Sequence, residues 1–268
     1  MFKHDGPDKN NLFTYYSAHK KFIGILSIPH SGEDIPKEIA PYLTSDLKAH
    51  KEDVDYRVND LVDIPTLQKH GIAVLVAHIH RVAVDLNRDA NNCVLYWKKN
   101  TQGVPLVLQE PTPELKEQWI TTYYRPYYEM MKGLISHLET LKNPASFVDL
   151  HSMPSRPTEY HLSINPNQKS ERPDFCLSDR HGKTCAPEFI GHITQNLAKA
   201  GYVCTNNDPY VGGYITEYAD KFKTNNIQIE IKRAIYMDEK KKELETHKVE
   251  KLKPILTKAL IELFEKFA

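Results

Sequence analysis

Short apolar, β-branched runs recur along this chain with room for a helix between most of them, and that alternation restricts the fold more than any other feature. Phe22–Ile28 (FIGILSI), Ile72–Ala77 (IAVLVA), Ser146–Leu150 (SFVDL), Tyr160–Ile164 (YHLSI), Tyr202–Thr205 and Ile227–Ile231 (IQIEI) read as strands by length and composition. Thr112 followed by Pro113 reads as a helix cap with proline at the first helical position. From there Leu115, Trp119, Tyr123, Tyr127, Met130, Leu134, Leu138 and Leu141 trace one apolar stripe. Val249, Leu252, Leu256, Leu263 and Phe267 mark a second amphipathic helix, with Pro254 as a kink or a restart. Strands alternating with helices imply an α/β fold: a mostly parallel, mixed sheet flanked by helices on both faces. Neither a repeat nor a low-complexity linker breaks the chain, so a single domain over residues 1–268 is expected.

Composition narrows the function classes. Lys and Arg total 35 and Asp and Glu total 35, so the net charge is zero and no footprint for non-specific nucleic-acid binding exists. The Lys240–Lys242 run is interleaved with Asp238, Glu239, Glu243 and Glu245 and reads as a solvated face. The four cysteines, Cys93, Cys176, Cys185 and Cys204, form no CxxC pair, which favours reduced structural thiols in a cytoplasmic protein. The N-terminal MFKHDGPDKNN lacks the apolar core of a signal peptide, and no apolar run approaches membrane-spanning length.

Ligands of open α/β sheets collect beyond the carboxyl ends of the strands. FIGILSI is followed by Pro29-His30-Ser31-Gly32-Glu33, SFVDL by His151, and IQIEI contains Glu230, a carboxylate in an apolar strand. Two histidines and one glutamate are the ligand set of a catalytic zinc site that keeps one position open. The candidate ligands are therefore His30, Glu33 and His151, for one divalent metal with zinc first. Cobalt, nickel or manganese also suits such a set. Hydrolysis then needs a carboxylate outside the ligand set to move the proton of the attacking water, and Glu230 fits. Asp149, two residues before His151, shares its strand face and is placed to accept a hydrogen bond from a ligand imidazole, or simply to end the strand. His78, His80, His161, His181 and His192 are competing histidines, for which packing or solvent contact is the better reading. A substrate carboxylate calls for arginine. VDLNRD, with Asn87 and Arg88, is the first candidate, and Arg180 is a second, with a surface ion pair as its alternative. Tyr214, in the Gly-rich NDPYVGGYIT, is placed to close over a substrate.

The short-range HxxE, the distant histidine and the later strand-borne glutamate resemble zinc carboxypeptidases and related deacylases. SIPHSGEDIP, VDLNRD, VDLHSMP, SDRHGKTCAP, NDPYVGGYIT and IQIEIKRAIYMDE, in this order, resemble the N-formylglutamate amidohydrolase family over about residues 27 to 239. The resemblance implies a fold similar to zinc exopeptidases. It also implies hydrolysis of N-formyl-L-glutamate to glutamate and formate, the last step in one route of histidine breakdown. It implies His30, Glu33 and His151 on the metal, Glu230 as general base, and Asn87 and Arg88 on substrate carboxylate. The family's turn commonly reads KGGYITRHYG; here it is VGGYITEYAD, with Val211 and Glu217 at usually basic positions, and Lys232 replaces a common Asn. Two alternatives follow: a deacylase or carboxypeptidase-like hydrolase acting on another small acyl amino acid or a peptide, and a metal-binding protein without turnover.

Overall fold

In a computed structural model of the chain, residues 5–141 and 144–268 are described. The polar N-terminal stretch read above lies outside the described residues over its first four positions. Eight strands form one sheet: β1 (Gly6–Pro7), β2 (Phe13–Tyr16), β3 (Gly24–Ile28), β4 (Ile72–Ala77), β5 (Ser146–Met153), β6 (Phe175–Ser178), β7 (Cys204–Asn206) and β8 (Asn225–Lys232). Their spatial order is 1-2-4-3-5-8-6-7. The four central strands, β4, β3, β5 and β8, are parallel, while β2 joins β4 and β6 joins β8 in antiparallel fashion. The parallel centre agrees with the alternation in the sequence. The antiparallel flanks come from strands that the apolar runs did not reveal.

Among the described residues, eight α-helices accompany the sheet: α1 (Leu47–His50), α2 (Ile64–Lys69), α3 (Pro113–Trp119), α4 (Arg125–Leu141), α5 (Glu159–Ile164), α6 (Pro187–Lys199), α7 (Tyr214–Asp220) and α8 (Thr246–Lys266). The two-residue period of a strand sorts the core into two layers. Leu26, Ile28, Val74, Val148, Leu150, Ile227 and Ile229 pack with α6 and α8, whereas Ile25, Ala73, Leu75 and Phe147 pack with α4. Gly24 permits the closest of these approaches, because a Cβ there would stand 2.0 Å from a ring carbon of Phe264.

Three elements differ from expectation. The stripe from Thr112 is two helices, α3 and α4, joined by a wide turn over Ile120–Tyr124 closed by Arg125 N–H on Ile120 C=O. Of the kink and the restart expected at Pro254, the restart does not occur, since α8 runs through it. Tyr160–Ile164 is helical rather than extended. Its backbone N–H at Thr158 donates to His161 Nδ1 at 3.2 Å, a local bond that caps the helix and that the composition of YHLSI does not report. Among the described residues, no helix is long and apolar enough to cross a membrane.

Candidate metal centre and its cavity

At the carboxyl ends of the central strands, the face that packs on α4 turns polar. Register pairs Ser27 with Asp149 and Asp149 with Gln228, and one step further along pairs His151 with Glu230. His30 follows two residues after β3. Asp55 comes from an irregular loop whose backbone N–H at Asp55 donates to the His30 carbonyl at 3.1 Å. The buried Arg233 fastens that loop, donating to Glu52 C=O at 2.8 Å and Val54 C=O at 2.9 Å. Its Nε donates to Ser152 Oγ, and that hydroxyl donates to Asp55 Oδ1.

Among the described residues, His30, Asp55 and His151 are brought together, each offering one donor atom within 4.8 Å of the others. All three are about 2% exposed. His151 Nδ1 lies 3.0 Å from Asp55 Oδ2, and His30 Nδ1 lies 3.6 Å from the same oxygen. On the far side of each ring, His30 Nε2 donates to Asp85 Oδ1 at 2.8 Å and His151 Nε2 donates to Asp149 Oδ2 at 2.7 Å. With Nε2–H held by a carboxylate, each ring has its Nδ1 on the Asp55 side, the nitrogen it would offer to a cation once free of a proton. His30 Nδ1 has no hydrogen-bond partner although it is buried. Buried polar atoms are rarely left so, and a cation would satisfy it. Donors at ~2.0–2.1 Å from a tetrahedral zinc lie roughly 3.3 Å from one another. The residues present therefore fit a divalent metal.

Electrostatics agree. Burial pushes the Asp55 carboxyl up, but the adjoining His151, hydrogen-bonded to it, and the nearby His30 outweigh it and hold it well below the usual carboxylate range. Burial also opposes charge on His151, yet Asp149 and Asp55 keep a proton on that ring well above its ordinary range. A proton between His151 and Asp55 occupies the place of a cation, and a metal would displace it. Glu230, from the next strand, is different. Burial, helped by Asp55 and opposed by His151, pushes its carboxyl up to about 8. Gln228 Nε2 donates to Glu230 Oε1 at 2.8 Å and sets its orientation.

Glu33 stands elsewhere. Its carboxylate pairs with Lys51 Nζ at 2.6 Å, part-exposed, and the acid beside the two histidines is Asp55. The physical reason is direction: the chain after His30 runs on to bond with the end of β4, through Asp34 N–H on His78 C=O, and this carries Glu33 away from the cluster. No periodic signal marks Asp55, in HKEDVDYRV. Asp85 lies in VDLNRD two residues before Asn87, and nothing in its spacing marks it as the partner of His30.

A cavity of about 350 Å³ opens over the cluster and is lined by His30, Asp55, His151 and Glu230, and by Asn87 and Arg88. Asn87 is buried; its Oδ1 accepts from Ile215 N–H at 2.8 Å, and a Cβ at Gly213 would overlap its amide. The Gly213 backbone N–H in turn donates to Gln228 Oε1 at 2.8 Å. Arg88 Nη1 donates to the Asn87 carbonyl at 3.1 Å, and its guanidinium lies over the ring of Tyr96 at 4.5 Å. Arg180 and Tyr214 do not line this cavity. Arg180 pairs with Glu217 at 3.2 Å, and Tyr214 packs among Tyr128 and Tyr218. Val211, Tyr210 and His161 line the cavity, His161 bonding Tyr210 OH at 3.1 Å. Of the other histidines, His78 bonds Thr14 and Asn11, His192 lies against Asn196 and Lys266, and His80 is buried beside His50. His181 is exposed in a turn with left-handed backbone.

Residues 24–237 match the family model described as N-formylglutamate amidohydrolase. The chain is 26% identical over 228 residues to the N-formylglutamate deformylase of Pseudomonas aeruginosa, over 80% of this chain and 82% of that one. The same figures hold for the Pseudomonas putida N-formylglutamate deformylase. Among solved structures, an N-formylglutamate amidohydrolase from Ralstonia eutropha shares the fold with a TM-score of 0.82 at 23% identity, over 96% of this chain and 98% of that one. A gene product of Agrobacterium tumefaciens shares it with a TM-score of 0.63 at 15% identity, over 95% and 94%.

Proposed function

We propose, from the premise that this chain belongs to the N-formylglutamate amidohydrolase family, that it hydrolyses N-formyl-L-glutamate to L-glutamate and formate with one zinc ion held by His30, Asp55 and His151. The observation that carries this reading is the convergence of two imidazole Nδ1 atoms on the Asp55 carboxylate, each ring anchored behind by a buried aspartate. Asp55 takes the position for which the HxxE spacing nominates Glu33. The curated relatives named N-formylglutamate deformylase support the substrate.

A bound divalent metal supplies Lewis-acid chemistry, making a water more acidic and polarising the formyl carbonyl. Glu230 removes a proton from the attacking water as its oxygen bonds to the formyl carbon. It then delivers that proton to the glutamate nitrogen as the C–N bond breaks, and the second proton of the water passes to the amine, so the products are formate and glutamate with a protonated amino group. Burial raises the proton affinity of this carboxyl above that of an ordinary glutamate, which favours its taking the proton from the water. Asp149 and Asp85 keep the two imidazoles oriented. Asn87 and Arg88, at the cavity wall, bind substrate carboxylate, Arg88 with guanidinium donors beyond the one it spends on Asn87. The whole chain serves as one catalytic domain in this reading. Four free cysteines support a cytoplasmic setting.

One observation favours a second substrate. Arg81 and Arg233, which also line the cavity, are bound to Asp85 and to the Asp55 loop, and Arg180 is paired outside it. Arg88 is then the main recognition cation, which suits an acyl amino acid with a single carboxylate. Purified, zinc-loaded protein offered N-formyl-L-glutamate and a panel of N-formyl and N-acetyl amino acids, with formate or amine release measured, tests both. Formate release from N-formyl-L-glutamate that a chelator abolishes is expected. A marked preference for a neutral side chain favours the second substrate, and no release from any member overturns the hydrolase reading.

A further inference from the structure

Trp97 touches both halves of the site. Its indole Nε1–H donates to Asp85 Oδ2 at 2.7 Å, the carboxylate whose other oxygen accepts from His30 Nε2 at 2.8 Å. Asp85 is 0% exposed and takes two further donors, Arg81 Nη2 at 2.9 Å and Asn87 N–H at 2.9 Å. The other face of the relationship is the ring itself. The Arg88 guanidinium lies 5.5 Å from the Trp97 ring and that of Arg81 lies 5.2 Å from it, while Tyr160 meets its edge at 5.9 Å across the cavity mouth. Trp97 also lines the catalytic cavity.

We propose that Trp97 is a positioning residue that holds His30 for the metal through Asp85 and, together with the nearer ring of Tyr96, restrains Arg88 for the substrate. The proposal rests on the metal being bound at His30, Asp55 and His151. Asp85 is a carboxylate with four donors, so its grip on His30 depends on where the other three pull it. Of those three, the indole N–H is the one that comes from outside the segment Arg81–Asn87. Removing partners that orient a ligand histidine typically lowers metal affinity by about 10–100-fold. A flat ring beneath a guanidinium restrains it without consuming its donors.

The two roles separate by substitution. Trp97→Phe keeps a ring and removes the N–H; Trp97→Leu removes both. Zinc affinity is measured by competition with a chromophoric chelator on stripped protein, and KM by the hydrolysis assay. Trp97→Phe is expected to bind zinc about tenfold more weakly with KM unchanged, and Trp97→Leu to lose zinc affinity and also raise KM severalfold. Trp97→Phe with wild-type zinc affinity overturns the proposal. Because a variant may fold poorly, the stripped wild-type protein is also titrated with zinc while tryptophan emission is followed. Trp119, the second tryptophan, packs on Tyr42 away from the site, so a change in emission reports Trp97. Emission indifferent to bound zinc counts against the proposal. Wild-type protein that binds no zinc at all instead removes the metal reading beneath it.

Discussion

Asp55 Oδ2 lies 3.0 Å from His151 Nδ1, and a residue of an irregular loop thereby meets a residue of the central strand in the interior of the protein. The loop cannot drift, because Arg233, Ser152 and the His30 carbonyl all fasten it. A buried aspartate held between two histidines has little to gain from its own packing, since removing a charge from water is costly without partners. The arrangement makes sense as a site prepared for a cation.

Glu230→Gln should lower kcat by about a hundredfold to ten-thousandfold, the usual contribution of a positioned proton carrier. Zinc content should stay at the wild-type level, because Glu230 is outside the ligand cluster. Unchanged turnover in this variant would remove Glu230 from the chemistry.

The same residue makes the metal-free protein pH-sensitive. Burial holds its carboxyl at about 8 in the folded chain, against 4.5 for the free group. Between those values the folded state keeps a proton that the unfolded state has lost. Stability contributed by Glu230 is thus complete below about pH 4.5 and disappears as pH rises through 8. His151, also raised, acts in the same sense above its ordinary range. Thermal melts of chelator-stripped protein from pH 5 to 8 should fall more steeply for wild type than for Glu230→Gln. Parallel curves would show that Glu230 is already charged across the window.

Arg88→Met should raise KM about tenfold or more and leave kcat within a few-fold, as expected when an interaction shared by ground and transition states is lost. Arg180→Ala, which removes a part-exposed partner of Glu217, should leave both constants near wild type. Steady-state kinetics on the two variants decides between them, and the reverse order would move carboxylate binding to Arg180.

Much of the fold is legible because apolar content marks buried parallel strands. Ile72–Ala77 is a strand over the same residues as its apolar run, and β5 and β8 extend SFVDL and IQIEI by a few positions. Phe13–Tyr16 and Phe175–Ser178 are short flanking strands whose four residues each carry too little pattern to stand out. In the candidate site, His30, His151 and Glu230 were approachable from sequence because each follows or occupies a strand end, where α/β folds collect ligands, and Asn87 and Arg88 because an arginine after the IAVLVA strand suits a carboxylate. Asp55 was not. It belongs to a stretch with Glu52 and Asp53, without period, and tertiary bonds single it out: those of Ser152, His151 and the His30 carbonyl to Asp55 itself and those of Arg233 to its neighbours. Arg180 and Tyr214 were nominated by residue type and a Gly-rich turn. Type and turn do not say which way a side chain points: the ring of Tyr214 joins an aromatic cluster instead.

The central claim is the identity of the acid that completes the metal centre. Zinc content per chain, measured by elemental analysis after loading and desalting, should be one equivalent in wild type. Glu33→Gln should keep it, and Asp55→Asn should lose it. Zinc retained in Asp55→Asn and lost in Glu33→Gln would contradict the account.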